Sequence, residues 1–179
     1  MLIARYAKIV MSLSLAAFCL LVAFDNVTDY GSNFQAVRHV LSMDTTFPGT
    51  VLTYRSVTTP ALWHLAYVII IVSQGAAGAL YLLGGVRLFQ ARHASGAVFN
   101  QAKSWVIAAS LLGFLIFFFL FMVIGGEWFA MWQSKDWNAQ GAAFRFYMAV
   151  LGVLIFVSLP DGDLAPARPS PKRRRRAKT

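Results

Sequence analysis

Hydrophobic residues are gathered into four long runs along the chain, at 9–24, 61–83, 105–124 and 142–159, and polar residues separate the runs. Each run is close to the ~20 residues that a helix needs to cross about 30 Å of hydrocarbon. Helices are favoured over strands because unpaired backbone groups are costly in lipid, and because the runs lack the alternation of a barrel strand. We therefore predict an all-α membrane protein with four transmembrane helices, at about 6–26, 60–83, 104–125 and 142–159.

A long polar segment, 25–60, connects the first two runs. Within it, Phe34, Val37, Val40 and Leu41 recur at spacings of three and four residues. This period predicts a short amphipathic helix in the first outer loop, lying on the membrane or capping the helices. At the end of the segment, Thr59–Pro60 predicts a helix start, with threonine as the cap and proline at the first helical position.

Composition supports a lipid environment, because 58 % of the residues are hydrophobic and only 13 % are charged. In soluble domains charged residues make up about a quarter of the chain. The net charge of +9 is uneven, since seven of the sixteen basic residues fall in the last twelve positions. We predict that 161–179 is a disordered basic tail, too polar and proline-rich to fold by itself. A cytoplasmic tail of this kind attracts anionic lipid, chiefly through Arg173, Arg174, Arg175 and Arg176, and we predict no nucleic-acid partner.

Orientation follows from the distribution of lysine and arginine between the connecting segments. The N-terminus, the second loop and the tail together carry twelve basic residues, whereas the first and third loops, with the start of the fourth run, hold four. The positive-inside rule therefore predicts that both termini are cytoplasmic.

Tryptophans stand at the predicted membrane interfaces: Trp63, Trp105, Trp128, Trp132 and Trp137. Indole rings favour this depth, because the ring contacts acyl chains while the N–H reaches the headgroups. Trp128 and Trp132 are four residues apart, so on a short helix they would share one face. The alternative to an interfacial anchor is a platform for a ligand.

Three segments resemble a family of predicted small bacterial integral membrane proteins, known as domain of unknown function 2165. They are FDNVTDYGSNFQAVRHVLSMDT at 24–45, GGEWFAMWQS at 125–134 and AFRFY at 143–147. The likeness covers nearly all of the chain apart from the basic tail. It implies a four-helix protein of the bacterial inner membrane, and it brings no reaction, cofactor or catalytic residue with it.

Candidate ligands for a metal or a haem gather on the predicted outer side. Carboxylate and imidazole groups suit a divalent cation, and the metal candidates are Asp25, Asp29, His39, Asp44 and Glu127. His64 is a haem candidate that would need loop-borne His39 or a methionine such as Met131 as its second ligand. The alternatives are that the loop carboxylates only face water, and that His64 is an interfacial histidine with a hydrogen bond. No HExxH or CxxC motif occurs, and the single cysteine, Cys19, excludes an intrachain disulfide.

Three features within the apolar runs predict contacts with other helices, with a loop or with the headgroups. Gln74 is expected to hydrogen-bond across helices, and the small pair Gly75 and Ala79 permits close approach of another helix, in this chain or in a partner. Arg145 either extends to the headgroups or pairs with an outer carboxylate.

No catalytic set is visible, which favours a protein without enzymatic activity. The leading hypothesis is an accessory or scaffolding subunit of a larger membrane complex, in contact with lipid and other membrane proteins. The alternative is a small redox or ligand-binding or metal-binding protein, with a site on the outer face around His64, Glu127 and the first loop. No cofactor is predicted in the first case, whereas haem or a divalent metal belongs to the second.

Overall fold

The computed structural model describes residues 2–164, and helices account for most of this part of the chain. Six elements are numbered in chain order: α1 (Leu2–Thr28), α2 (Tyr30–Ser42), α3 (Pro60–Gln90), α4 (Gly96–Ala102), α5 (Ser104–Phe114) and α6 (Gln140–Ser158). α5 continues directly as a π-helix at Leu115–Trp128, which we call the π segment. Short 3-10 turns lie at Val51–Arg55 and Met131–Gln133.

Four helices are long and apolar enough to cross a membrane, at Leu2–Thr28, Pro60–Gln90, Gly96–Trp128 and Gln140–Ser158. The predicted all-α class with four transmembrane helices is confirmed, and the described residues contain no strand. Pro60 is the first helical residue of α3, as predicted, but the Thr59 side chain makes no capping hydrogen bond. The predicted short helix of the first loop corresponds to α2, whose placement on a membrane surface stays a prediction.

α1 and α3 pack antiparallel along a seam in which leucines of α1 face glycines of α3. A Cβ added at Gly85 would lie 2.5 Å from Leu13 Cδ2, and one added at Gly78 would lie 2.7 Å from Leu20 Cγ. Glycine is needed at both positions because the leucines occupy the space of a side chain. Of the expected Gly75 and Ala79 pair, Gly75 lies at the edge of this seam, where an added Cβ would be 3.9 Å from Ala23 Cβ of α1, whereas Ala79 is exposed.

The remaining long helices extend the antiparallel order. α5 crosses α3 at Gly84, where an added Cβ would lie 2.9 Å from the backbone nitrogen of Val106. The Tyr81 hydroxyl donates to Ser110 Oγ at 3.0 Å, one turn further along the same contact. α6 packs on α5 and the π segment and also reaches α1, where the Phe18 and Phe146 rings lie 4.9 Å apart. Each long helix therefore contacts two others.

Two ends of the assembly differ in chemistry, and we call them the N-terminal side and the cap side. The cap side holds α2, the segment 43–59 and the segment 129–139. Two non-glycine residues with left-handed backbone, Met43 (φ 54°) and Ala130 (φ 50°), are buried together there in one apolar cluster with Phe129. Such strained conformations cost about 1–3 kcal/mol each and persist only where packing enforces them.

Hydrogen bonds fasten the first loop to the segment that follows the π segment. The Thr45 hydroxyl donates to Ser134 Oγ at 2.9 Å, and the Phe47 backbone N–H donates to Gln133 Oε1 at 3.2 Å. The Trp63 indole N–H donates to the carbonyl of Val57 at 2.6 Å. The cap is consequently a joint structure of two loops and the start of α3.

A buried ionic cluster closes the N-terminal side, and we call it the lysine–aspartate lock: Lys8, Lys103 and Asp161. Both ammonium groups lie 2.5 Å from Asp161 Oδ2, and all three side chains are at most 7 % exposed. Both lysines also donate to the carbonyl of Leu159 at 2.7 Å. Burial raises the pKa of the Asp161 carboxyl, but hydrogen bonds and positive charge from Lys103 and Lys8 outweigh this and hold the pKa below its usual value.

Arg5 is fully buried beside this lock, and its two terminal nitrogens bond to backbone carbonyls, whereas its Nε has no partner among the described residues. Its guanidinium donates to the carbonyls of Arg92 (2.9 Å), Ala94 (2.7 Å) and Gly162 (2.8 Å). The Gly96 backbone N–H donates to Asp163 Oδ1 at 2.7 Å, so a second aspartate of this segment holds the start of α4. Residues 161–163, at the start of the predicted tail, thus contact α1 and α4. The predicted disordered tail otherwise falls outside the described residues, as do Arg173–Arg176.

Candidate functional site

An apolar cavity of about 220 Å³ lies on the cap side, between α2, α3 and the π segment. α2 contributes Ala36, Val37, Val40 and Leu41, and the last three of these belong to the apolar positions that predicted this helix. They turn toward the cavity because the spacing of three and four residues puts them on one face of the helix.

The first turns of α3 form a second wall, with Ala66, Ile69 and Ile70. These residues follow Trp63 by three to seven positions, which corresponds to about 5 to 10 Å along the helix. If Trp63 marks the interface, the cavity lies in the adjacent half of the hydrocarbon layer, whose full thickness is about 30 Å.

The π segment supplies the third wall through Leu120, Phe121, Ile124 and Gly125. Its wider turn is evident at its end, where the Phe129 backbone N–H donates to the carbonyl of Ile124, five residues earlier, at 3.0 Å. π-helical turns are rare and are found disproportionately at functional sites. Gly125 lies against Met131, another lining residue, and a Cβ added at Gly125 would make an ordinary contact of 3.5 Å with Cε of Met131.

Nearly all of the surface inside the cavity is carbon. Apart from the indole N–H of Trp137, its lining side chains carry no hydrogen-bonding group. A water molecule needs two to four polar partners, and an apolar cavity of about 150 Å³ stays dry and takes up benzene. The cavity beneath α2 thus favours a hydrocarbon group over water.

A polar group borders the cavity at Trp137. The His39 ring stacks on the Trp137 ring with 4.7 Å between centroids, and His39 Nδ1 lies 2.8 Å from Asp44 Oδ1. The imidazole thereby joins the end of α2 to the turn after it and to the segment before α6. Two of the predicted metal candidates, His39 and Asp44, are brought together here as a pair.

His64 occupies a separate aromatic stack. Its ring lies 4.2 Å from that of Phe34, and its Nδ1 lies 2.7 Å from the Tyr30 hydroxyl. A partly buried series of hydrogen bonds lies next to it, in which the Tyr67 hydroxyl donates to the backbone carbonyl of Asn26 and the Asn26 amide donates to Gln74 Oε1 at 2.8 Å. Gln74 thus bonds across helices to α1, as expected for a buried amide in an apolar segment.

The other candidates are dispersed. Asp25 lies in the last turn of α1, Asp29 lies between α1 and α2, and both are exposed together with Glu127. Within residues 2–164, no group of three or more histidine, cysteine or acidic side chains is close enough to hold a metal ion. His39 and His64 each bond a partner of their own, so the structure does not present them as a haem pair.

Four of the tryptophans lie on the cap side, and Trp105 lies on the N-terminal side. Trp128 and Trp132 are 51 % and 48 % exposed, but they do not share a helix face. The helix ends at Trp128, and the left-handed backbone of Ala130 redirects the chain before the next turn. Arg145 is exposed and forms no ion pair within the described part of the chain, which fits extension toward the headgroups.

The cavity was missed by sequence reasoning, although its α2 wall was visible as a period of apolar residues.

Comparison with known protein families identifies the family to which this chain belongs. The family model described as Predicted small integral membrane protein (DUF2165) matches residues 4–160. The chain belongs to this family. No curated protein and no solved structure matches the chain significantly.

Membership in DUF2165 and the four apolar helices agree that this is an integral membrane protein. The matched residues include α2, the π segment and every helix that lines the cavity. They end just before the carboxylate of the lysine–aspartate lock, at Asp161.

Proposed function

We propose that this DUF2165 protein binds the hydrocarbon part of a membrane-soluble molecule in the cavity beneath α2. The observation that carries the proposal is the carbon lining of a space of about 220 Å³ at one edge of the apolar helices. This develops the alternative of a ligand site on the outer face. The site includes the first loop but centres on α2 instead of His64 and Glu127.

The occupant proposed is a segment of acyl or isoprenoid chain. Such chains are present at high concentration in the surrounding bilayer, and with Trp63 at the interface, Ala66 and Ile70 would be at the depth of these chains. Each buried methylene contributes about 0.8 kcal/mol relative to water. Relative to lipid that gain is small, so retention rests on close packing and on the polar border at Trp137 and His39.

The test uses the full chain in nanodiscs that contain a phospholipid with a diazirine on its acyl chain. After illumination, mass spectrometry of peptides maps the adducts. We expect adducts concentrated on α2 and the π segment. The Ala66→Phe variant fills the cavity from α3, and its yield of these adducts should fall severalfold, because the phenyl ring takes the space of the chain.

Ala79→Phe is the matched control, because it makes the same change on the exposed surface of the same helix. Its adduct pattern should equal that of the wild type. A wild-type pattern spread evenly over lipid-facing residues, or one that Ala66→Phe leaves unchanged, would contradict binding in the cavity.

A second candidate is the accessory or scaffolding role in a larger membrane complex. It is favoured by an exposed aromatic surface on the cap side, where Tyr54 and Trp128 are 74 % and 51 % exposed. The Arg55 guanidinium lies 4.9 Å from the Trp128 ring and 5.3 Å from the Tyr54 ring. Tryptophan, tyrosine and arginine dominate the energetics of protein–protein contacts.

Affinity purification in mild detergent, followed by mass analysis of the intact complex, tests this role. The matched pair is Trp128→Ala, in the aromatic surface, against Trp105→Ala, at the opposite end of the molecule. Loss of a co-purifying membrane protein from the first variant alone is the expected result. Recovery of the wild type as a monomer free of other proteins would refute it.

The localisation proposed is the bacterial inner membrane with both termini in the cytoplasm. It is supported by the twelve basic residues assigned to the N-terminal side and the tail. Under this orientation the cavity and the aromatic surface both belong to the outer half of the membrane.

A further inference from the structure

A second cleft, of about 570 Å³, lies on the N-terminal side, at the end opposite the cavity. It is formed by the last turns of α3, by α4 and by the first residues of α5. Arg87, Gln90, Gln101 and Ser104 give it hydrogen-bonding groups, while Val98 and neighbouring alanines give it an apolar floor. This mixed lining differs from the carbon lining of the cavity beneath α2.

Arg87 is the only charged side chain that lines the cleft. It is exposed, and within residues 2–164 its guanidinium has neither an ion pair nor a hydrogen-bond acceptor. The nearby carboxylates of the N-terminal side are already engaged, Asp161 by the two lysines and Asp163 by Gly96. The cleft therefore carries an uncompensated positive charge.

Trp105 fixes the depth of the cleft. Its ring is 41 % exposed and lines the cleft, and its indole N–H has no acceptor in the described part of the chain. Indole rings favour the headgroup layer, so Arg87 is held at the depth of lipid phosphates. A guanidinium presents paired N–H donors that match two phosphate oxygens, and the indole N–H and the glutamine amides add further donors.

We propose that this cleft binds the phosphate of an anionic phospholipid from the leaflet on the N-terminal side. The guanidinium of Arg87 pairs with the phosphate, and the Trp105 N–H donates to it. The glycerol and the start of the acyl chains lie on Val98, which is 50 % exposed. Basic pockets between transmembrane helices at the cytoplasmic side are known sites for such headgroups.

The experiment measures retention of phosphatidylglycerol against phosphatidylcholine by native mass spectrometry, on full-length protein from nanodiscs containing equal amounts of both. The wild type should retain phosphatidylglycerol preferentially. Arg87→Gln should lower that preference about fivefold, which corresponds to about 1 kcal/mol for one basic residue near the surface. Because Arg87 has no partner within the described residues, this variant should keep the thermal stability of the wild type.

Arg145→Gln is the matched control, since Arg145 is an exposed arginine without an ion pair at the opposite end of the assembly. Its preference should equal that of the wild type. The basic tail is present in every variant, so its contribution cancels. An equal loss of the lipid preference in both arginine variants would mean that general surface charge attracts the lipid, and it would overturn the proposed site.

Two further arms identify the source of the phosphate and the role of the indole. Trp105→Phe keeps the ring but removes the N–H, and it should lower the preference, whereas Trp128→Phe should not. Excess inorganic phosphate should leave the retained lipid in place. Displacement by inorganic phosphate would assign the cleft to a free anion and overturn the lipid assignment.

Discussion

Lys8 of α1 and Asp161 of the segment after α6 form a buried ion pair, with 2.5 Å between Nζ and Oδ2. The contact joins residues 153 positions apart, from the first helix to the segment that follows the last. Lys103 shares the same carboxylate oxygen, so one acidic group compensates two buried ammonium groups. Stability at this end of the molecule should depend strongly on that single carboxylate.

Replacing Asp161 by asparagine should destabilise the protein by about 3–5 kcal/mol, because removal of one partner leaves buried charge uncompensated. Thermal unfolding in detergent, followed by tryptophan fluorescence, measures the loss. Asp163→Asn is the matched control. Asparagine still offers an oxygen to the Gly96 N–H, so this variant should unfold close to the wild type. Equal unfolding temperatures for all three proteins would exclude a stabilising lock.

The same carboxyl predicts loss of stability in acid. Its pKa in the folded protein is lowered from the model-compound value, which is about 3.9 for aspartate. The stabilisation is therefore complete above that value and is lost as the pH falls through the lower, folded-state pKa. Unfolding temperatures measured between neutral pH and pH ~3 should fall more for the wild type than for Asp161→Asn, which has no carboxyl to titrate at this site. If the unfolding temperatures of the two proteins fell equally with pH, this carboxyl would not be the source of the stabilisation.

The crossing of α3 and α5 predicts a sharp difference between two glycines. Gly84→Ala should destabilise the protein by about 1–3 kcal/mol, because the new Cβ would meet the backbone of Val106, which no rotamer change can move. Gly152→Ala on α6 meets nothing within 4 Å and should be neutral or slightly stabilising. Thermal unfolding compares the two, and a Gly84→Ala protein as stable as the wild type would disprove such close packing.

The membrane topology can be tested by labelling single introduced cysteines, because the native cysteine should not contribute a signal. Cys19 is 1 % exposed and should not react with a membrane-impermeant maleimide. Lys135→Cys on the cap side should label in intact cells, whereas His93→Cys on the N-terminal side should label only after permeabilisation. Both parent residues are exposed. The reverse pattern would invert the orientation inferred from the positive-inside rule.

Sequence patterns located the four long helices well, because the hydrocarbon layer sets both their composition and their length. The ends were less predictable. α3 continues to Gln90 instead of 83, since GGVRLFQ contains no proline, its glycines pack against neighbouring helices, and its polar residues can reach the headgroups. The third span begins earlier than predicted, with α4 at Gly96.

The cavity beneath α2 and the lysine–aspartate lock could not be predicted from the sequence, for different reasons. The cavity draws ordinary apolar residues from several separate segments, and nothing in LIFFFLFMVIGGEW distinguishes a π-helix from an α-helix. In the lysine–aspartate lock, the basic residues of the N-terminus predict only the orientation, because the partner of Lys8 lies in a proline-rich segment that resembles a disordered tail. A pair so distant in sequence leaves no local pattern.

The left-handed residues Met43 and Ala130 have a consequence for biosynthesis. Ala130 and its neighbours are translated long after Met43, so the first loop cannot complete its apolar cluster until the third span has been inserted. During that interval the loop is exposed to proteases and chaperones on its side of the membrane. Chains arrested before residue 129 should therefore be cleaved within 43–57 by a protease to which the finished protein is resistant.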